Sequence, residues 1–236
     1  MLGGGFAVAW LSCVAVRLLL LRHGESHSNA APEAAALPEH VGDRLTDRGH
    51  GQAAAAALAL RGCEATRLIS SPMRRARETA EPLSRELGLE IEIDDGIYEL
   101  RESEDYLELA PEEQKLRRWS NRMAEHDDDP DHAPPGAESF NEVLARVRSF
   151  KRRLESNDPQ AVILGMSHGL FLRFFFIDSL LPDFRVRDVA RLWQLRTTNC
   201  GLSVFELDES RHPADPDIKG WRCATWMQPL AGTSDQ

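Results

Sequence analysis

Val16-Arg17-Leu18-Leu19-Leu20-Leu21-Arg22-His23-Gly24-Glu25 runs from a nearly unbroken apolar stretch into an arginine, a histidine and a glycine. Residues 16–21 read as a buried strand, since the run is short and apolar and stops at a glycine. Side chains at the tip of such a strand are open while the sheet holds their backbone, so Arg22 and His23 are presented on a firm edge. A second apolar run, 161–164, leads into Ser167-His168-Gly169. Two strands that each end in His-Gly, far apart in the chain, predict two histidines meeting at one edge of one sheet.

Outward from these runs, strand and helix signals alternate. Thr46 caps a helix through the alanine block 53–57 to about residue 60, with Gly62 as its stop. Residues 67–70 form a short strand, broken by Ser71-Pro72. A helix follows over 73–87 and ends at Gly88; Pro82 inside it should kink or restart it. Residues 89–93 alternate apolar and acidic, as in a half-exposed strand. Residues 94–137 are the least regular, with one predicted helix over 111–124 and an acidic, proline-rich stretch over 126–136. Ser139 and Glu142 have capping-box spacing and open a helix to about residue 155. A helix over 170–181 and strands over 202–207 and 222–226 complete the chain. This alternation predicts a three-layer α/β/α sandwich with a mainly parallel central sheet. The division expected is an apolar leader over 1–15 and one domain over 16–236. Within that domain, 94–137 is an insertion capping the C-terminal strand edge.

Composition narrows the classes. A chain of 236 residues, 42% hydrophobic and 28% charged, has the make-up of an ordinary globular protein with a substantial core. A net charge of −10 and a pI near 5.3 argue against a general nucleic-acid binder, yet a few arginines in a cleft still suffice for an anionic ligand. The four cysteines are scattered, which suits reduced thiols and a cytoplasmic protein. Residues 1–21 carry Arg17 as their only charge until the strand tip and approach the length of a membrane span, but they lack the basic start and cleavage site of a signal peptide. The expectation is a cytoplasmic protein without membrane attachment, unless those residues act as an anchor.

In parallel sheets, ligands bind beyond the carboxyl ends of the strands. His23, the segment 71–75 and His168 all follow predicted strands, so they should converge there. A neutral imidazole is a nucleophile toward phosphorus, and a guanidinium offers paired donors to phosphate oxygens. Gly24 and Gly169 would let backbone N–H groups approach an anion at the start of a helix. The chemistry this suits is phosphoryl transfer through a phosphohistidine. His23 and His27 are four residues apart, but they follow a strand directly and lack a carboxylate partner at metal-ligand spacing, so neither a metal nor another cofactor is expected.

These residues resemble the histidine phosphatase superfamily, the phosphoglycerate-mutase-like proteins. The resemblance rests on Leu20-Leu21-Arg22-His23-Gly24-Glu25-Ser26 with Asn29, and on Leu45-Thr46-Asp47-Arg48-Gly49 with Gln52-Ala53. It continues through Ser70-Ser71-Pro72-Met73-Arg74-Arg75-Ala76 with Thr79-Ala80, then Gly136-Ala137-Glu138-Ser139, where an alanine is inserted, and Ser167-His168-Gly169 with Arg173. It implies His23 as nucleophile, a phosphate pocket of Arg22, Arg75, His168 and Gly169, and Asn29 as a further phosphate contact. Arg75 is the family's arginine because it directly precedes Ala76; Arg74 is expected to be a solvated helix residue. The family's proton donor is a Glu, and both Ile97-Tyr98-Glu99 and Leu100-Arg101-Glu102 fit its form. Glu99 is preferred for its distance from Asp94-Asp95-Gly96, although the Trp-Glu-Gly that usually follows is missing.

Phosphatases and mutases of this kind share the first half-reaction. The Arg-Phe-Thr-Gly-Trp and Glu-Arg-His-Tyr-Gly stretches of the mutases have no match in 30–40 or 98–103, which favours a metal-independent phosphatase. Its substrate would be a small-molecule phosphate ester, with a phosphoprotein as the other class. The alternatives are a phosphoglycerate-mutase-like phosphotransferase and a non-catalytic protein that binds phosphate ligands. Selectivity is expected in 94–137 and in the loop 29–43. Oligomeric state has no signal in the sequence.

Overall fold

The computed structural model describes residues 14–30, 43–103, 113, 128–156, 160–181, 183–208 and 220–233. The apolar run forms β1 (Val14–Arg22), and it is the pivot of the architecture. Its neighbours are β4 (Ala161–Ser167), parallel to it, and β5 (Leu202–Asp208), antiparallel. Outside β4 lie β2 (Arg67–Ser70) and then β3 (Ile91–Ile93), both parallel; outside β5 lies β6 (Gly220–Gln228), antiparallel to it. The six-stranded order is β3-β2-β4-β1-β5-β6, and only β5 runs against the rest.

Strand alternation explains why β1 is apolar throughout. Val16, Leu18 and Leu20 enter one core with Ile163, while Leu19 and Leu21 enter a second with Leu164 and Met166 on the opposite face. The first core is covered by α4 (Phe140–Glu155) and α5 (Gly169–Leu180). Its aromatic centre includes Phe150, Phe171, Phe175 and Phe205, with Phe175 meeting Phe205 edge-on at 4.6 Å between centroids. The second core is covered by α2 (Asp47–Ala59) and α3 (Arg74–Leu87), whose small side chains Ala56, Ala57, Ala76 and Ala80 allow close packing. These are the three layers expected from the alternation of elements. A single turn, α1 (His27–Ala30), follows β1 directly.

Local signals act as predicted at several ends. The Thr46 hydroxyl accepts the Gly49 N–H at the start of α2, and Ser139 and Glu142 form both halves of the capping box of α4. Gly88 closes α3 in the left-handed conformation, at φ 68°. Pro82 does not restart α3, which is one helix from Arg74 to Leu87. Thr79, Ala80 and Leu83 on either side of it are buried, and that packing holds the helix through the lost backbone hydrogen bond. β4 is three residues longer than its predicted span, because Gly165 to Ser167 pair with Leu20 to Arg22 of β1. A long 3₁₀ segment, Val186–Gln194, has no counterpart among the predicted elements.

Residues 94–103 run across the carboxyl ends of the strands: the Asp94 N–H reaches the Ser70 carbonyl at 3.0 Å, and the Ser167 hydroxyl donates to the Ile97 carbonyl at 2.7 Å. The helix predicted over 111–124 lies outside the described residues apart from Glu113, as do residues 1–13 of the leader and 31–42 of the loop after Ala30. No helix of the described residues is long and apolar enough to cross a membrane. Cys63, Cys200 and Cys223 are all free thiols.

Candidate active site

The β1–β4 register brings the two histidines together. Arg22 pairs with Ser167, the next residue's N–H (His23) reaches the Ser167 carbonyl at 2.9 Å, and the His23 and His168 ring centroids stand 5.2 Å apart. Both rings are buried, at 3% and 0% exposure.

Neighbours on both sides set the tautomer of His23. Its Nδ1 lies 2.7 Å from the Gly24 carbonyl, which can only accept, so Nδ1 carries the proton. Its Nε2 accepts from Arg75 Nε at 3.1 Å and therefore holds a lone pair. His168 Nε2 meets the Ser71 hydroxyl at 2.7 Å. Burial, then the charges of Arg75 and Arg22, push the His23 pKa well below its usual value; burial, then Arg75, His23 and Arg22, do the same for His168. Both imidazoles are neutral at physiological pH.

Two loops aim the arginines. Arg22 Nη1 donates to the Thr197 carbonyl at 2.8 Å, just before β5. Arg75, in the first turn of α3, donates from Nη1 to Asp43 Oδ1 at 2.5 Å, and the other Asp43 oxygen accepts the Arg74 N–H at 2.7 Å. Arg74 itself points outward and pairs with Glu78 on the helix surface. The Gly24 N–H donates to the Thr79 hydroxyl at 2.9 Å, which in turn donates to the Arg75 carbonyl at 2.7 Å. That short chain couples the loop of His23 to the helix of Arg75. A Cβ on Gly169 would stand 3.0 Å from Thr197 Oγ1 and 3.5 Å from Arg22 Nε, so α5 starts close beside Arg22 with little room for a side chain.

The two remaining expected residues sit differently. Glu99 lies over the start of α5: its carboxylate accepts the N–H groups of Leu170 at 3.2 Å and Phe171 at 3.2 Å, directly after His168 and Gly169. Glu102 lies beyond Arg101, whose N–H and carbonyl both pair with Glu138, at 3.0 and 3.2 Å. Asn29 Oδ1 takes the Ser26 N–H at 2.6 Å, and its Nδ2 donates to Asn199 Oδ1 at 3.2 Å. Asn199 Nδ2 in turn donates to the His23 carbonyl at 2.9 Å, so Asn29 bears on the backbone of His23 through Asn199. Asn199, Thr197 and Asp43 were not read from the sequence. The first two precede β5 and reach the site because β5 runs antiparallel beside β1 and starts where β1 ends.

A neutral imidazole whose Nε2 lone pair faces Arg75, with Arg22 and a second imidazole close by, stands at the carboxyl ends of a mostly parallel sheet, a set of groups with the chemistry to hold an anion. The histidine phosphatase superfamily (branch 1) matches residues 18–216, and the chain belongs to that family. A bifunctional protein of Mycobacterium tuberculosis is 36% identical over 159 residues, which are 64% of this chain and 41% of that protein. The chain therefore spans well under half the length of that relative. A protein of Photorhabdus laumondii named as a probable phosphoglycerate mutase is 28% identical over 92% of this chain and 93% of its own length. Among solved structures, the mycobacterial glucosyl-3-phosphoglycerate phosphatase in complex with VO3 aligns at a TM-score of 0.64, with 25% identity over 90% of this chain and 99% of that one.

Proposed function

We propose that the chain is a phosphatase that hydrolyses a small-molecule phosphate monoester through a phosphohistidine on His23, without a metal. The observation that carries this reading is the state of His23: Nδ1–H is committed to the Gly24 carbonyl, while Nε2 holds its lone pair toward Arg75 and the second histidine.

In the first step His23 Nε2 attacks phosphorus and the ester P–O bond breaks. Arg22, Arg75 and His168 hold the equatorial oxygens, where charge collects in the transition state. Glu99 gives its proton to the departing alkoxide, and the alcohol leaves. In the second step Glu99 takes a proton from water, whose oxygen attacks phosphorus while the N–P bond breaks. Inorganic phosphate departs and the lone pair returns to Nε2. Asn29 and Gly169 complete the anion site, the first through Asn199 and the second by letting the start of α5 come close.

Hydrolysis of p-nitrophenyl phosphate in the presence of EDTA tests this. Activity that persists in EDTA and vanishes in His23→Ala is the expected result; dependence on added metal, or no turnover of any phosphate ester, overturns it. A transferase reading has one specific support, the similarity over nearly full length to the probable mutase of Photorhabdus laumondii. A phosphoglycerate exchange assay separates the two, since a mutase moves the phosphoryl group faster than it releases phosphate.

A further inference from the structure

Glu99 follows three backbone carbonyls that are all tied down. Arg146, on α4, donates from Nη1 to the Gly96 carbonyl at 3.1 Å and to the Tyr98 carbonyl at 2.9 Å. The carbonyl between them, on Ile97, takes the Ser167 hydroxyl one residue before His168. The other edge of the Arg146 guanidinium forks onto Glu138, from Nε to Oε1 at 3.0 Å and from Nη2 to Oε2 at 2.9 Å. Glu138 then closes the loop from the far side, accepting the Tyr98 hydroxyl at 2.7 Å and the Arg101 N–H at 3.0 Å. The guanidinium also lies over the Tyr98 ring, 3.8 Å from its centroid.

The arginine and the glutamate are both nearly buried, with side-chain exposures of 11% and 7%. A buried ion pair is weak evidence for stability, because desolvation offsets most of its attraction. Its geometry here serves another end. A bidentate fork fixes the guanidinium plane, and the free corner of that plane then fixes two alternate carbonyls. Residues 96–101 have no strand ladder of their own, so this clamp replaces one.

We infer that the Arg146–Glu138 pair is the positioning device of the general acid: it holds the backbone on both sides of Glu99 so that its carboxyl stays over the start of α5, beside His168. The inference rests on Glu99 being the proton donor, as proposed above. Neither clamp residue touches the reacting atoms, so their hold on the carboxyl is exerted through the backbone of Glu99.

A structural role would slow all substrates alike, whereas a role in positioning the acid depends on the leaving group. A nitrophenolate departs without a proton; an alkoxide does not. General acid catalysis contributes about 10²–10⁴-fold where it is required. The experiment compares kcat/KM for p-nitrophenyl phosphate with that for an alkyl phosphate in wild type, Arg146→Lys, Glu138→Gln and Glu99→Gln. Each protein is assayed below its melting temperature. Arg146→Lys keeps the charge opposite Glu138 and loses the fork, so it decides the matter if Glu138→Gln does not fold.

The expected result is that the aryl-to-alkyl ratio rises at least about tenfold in Glu99→Gln and in the clamp variants. A ratio that rises in Glu99→Gln but stays at the wild-type value in the folded clamp variants overturns the inference and leaves the reading of Glu99 intact. An unchanged ratio in Glu99→Gln removes Glu99 as the acid, and the inference falls with it.

Discussion

Asp43 Oδ1 lies 2.5 Å from Arg75 Nη1, so the guanidinium that faces His23 is partly neutralised before any phosphate arrives. Both side chains are shielded, at 11% and 13% exposure, which makes the pair stronger than a surface bridge. Asp43→Asn keeps an acceptor oxygen in place and removes only the charge. Inorganic phosphate should then bind about fivefold more tightly, corresponding to about 1 kcal/mol, measured as a lower Ki for product inhibition at low salt. Weaker binding would mean that the charge of Asp43 is needed to hold Arg75 in position.

His23 Nε2 is the only site in the proposed reaction where phosphorus becomes covalently bound to protein. Brief mixing with a ³²P-labelled ester and quenching in alkali should leave label on wild type that is lost on acid treatment. The label should be absent in His23→Ala, with kcat/KM down by about 10³-fold or more. Label retained in His23→Ala would move the nucleophile elsewhere.

Folding holds both histidines neutral, with pKa values depressed well below those they have in the unfolded chain, near 6.5. Below that value the unfolded chain takes up protons that the folded pocket refuses. Stability is therefore full above about pH 6.5 and declines as the pH falls below it. Arg75, Arg22 and, for His168, Arg146 add to the penalty. The melting temperature of the ligand-free protein should drop between about pH 7 and pH 5, more steeply than in a His23→Ala/His168→Ala double variant. Equal slopes would contradict this account.

Gly49 is the tightest point of the site's support. A Cβ there would lie 2.0 Å from the Glu25 carbonyl oxygen, which is backbone and cannot swing aside. Gly49→Ala should therefore cost about 2 kcal/mol or more and lower kcat, because the displaced loop carries His23. Gly51, on the same helix with nothing within 4 Å of its would-be Cβ, is the control. Gly51→Ala should stabilise the protein by up to about 1 kcal/mol through helix propensity. Thermal denaturation of the two variants gives the comparison directly.

The parts of this architecture that could be read in advance are those set by short-range rules. The apolar run of β1, the Thr46 cap and the Ser139–Glu142 box each settle an element from a few neighbouring residues. The meeting of His23 and His168 was legible because parallel strands end on the same side. The supporting groups were not, since they depend on pairings made far along the chain. Asn199 and Thr197 reach the pocket only because β5 runs backwards beside β1, and Arg146 reaches Tyr98 only because α4 packs against residues 95–97. Pro82 shows the opposite failure: a strong local rule, outweighed by buried neighbours on its helix.

The central place of β1 also divides the pocket kinetically. Residues 18–21 are hydrogen-bonded to β4 on one side and β5 on the other, so their amides can exchange with deuterium only when the whole sheet opens. Glu99 and Arg101 lie outside the sheet, and the Arg101 N–H is held by a side chain, the Glu138 carboxylate, a contact that breaks at lower free energy than a central strand ladder. His23 thus extends from the most fully paired strand of the described sheet, while Glu99 sits on a segment outside the sheet whose hold rests on the Arg146–Glu138 clamp. Hydrogen exchange should show the Arg101 amide exchanging well before those of residues 18–21. If product leaves by a movement of one wall, it is the wall of Glu99 that gives way while the wall of His23 stands still.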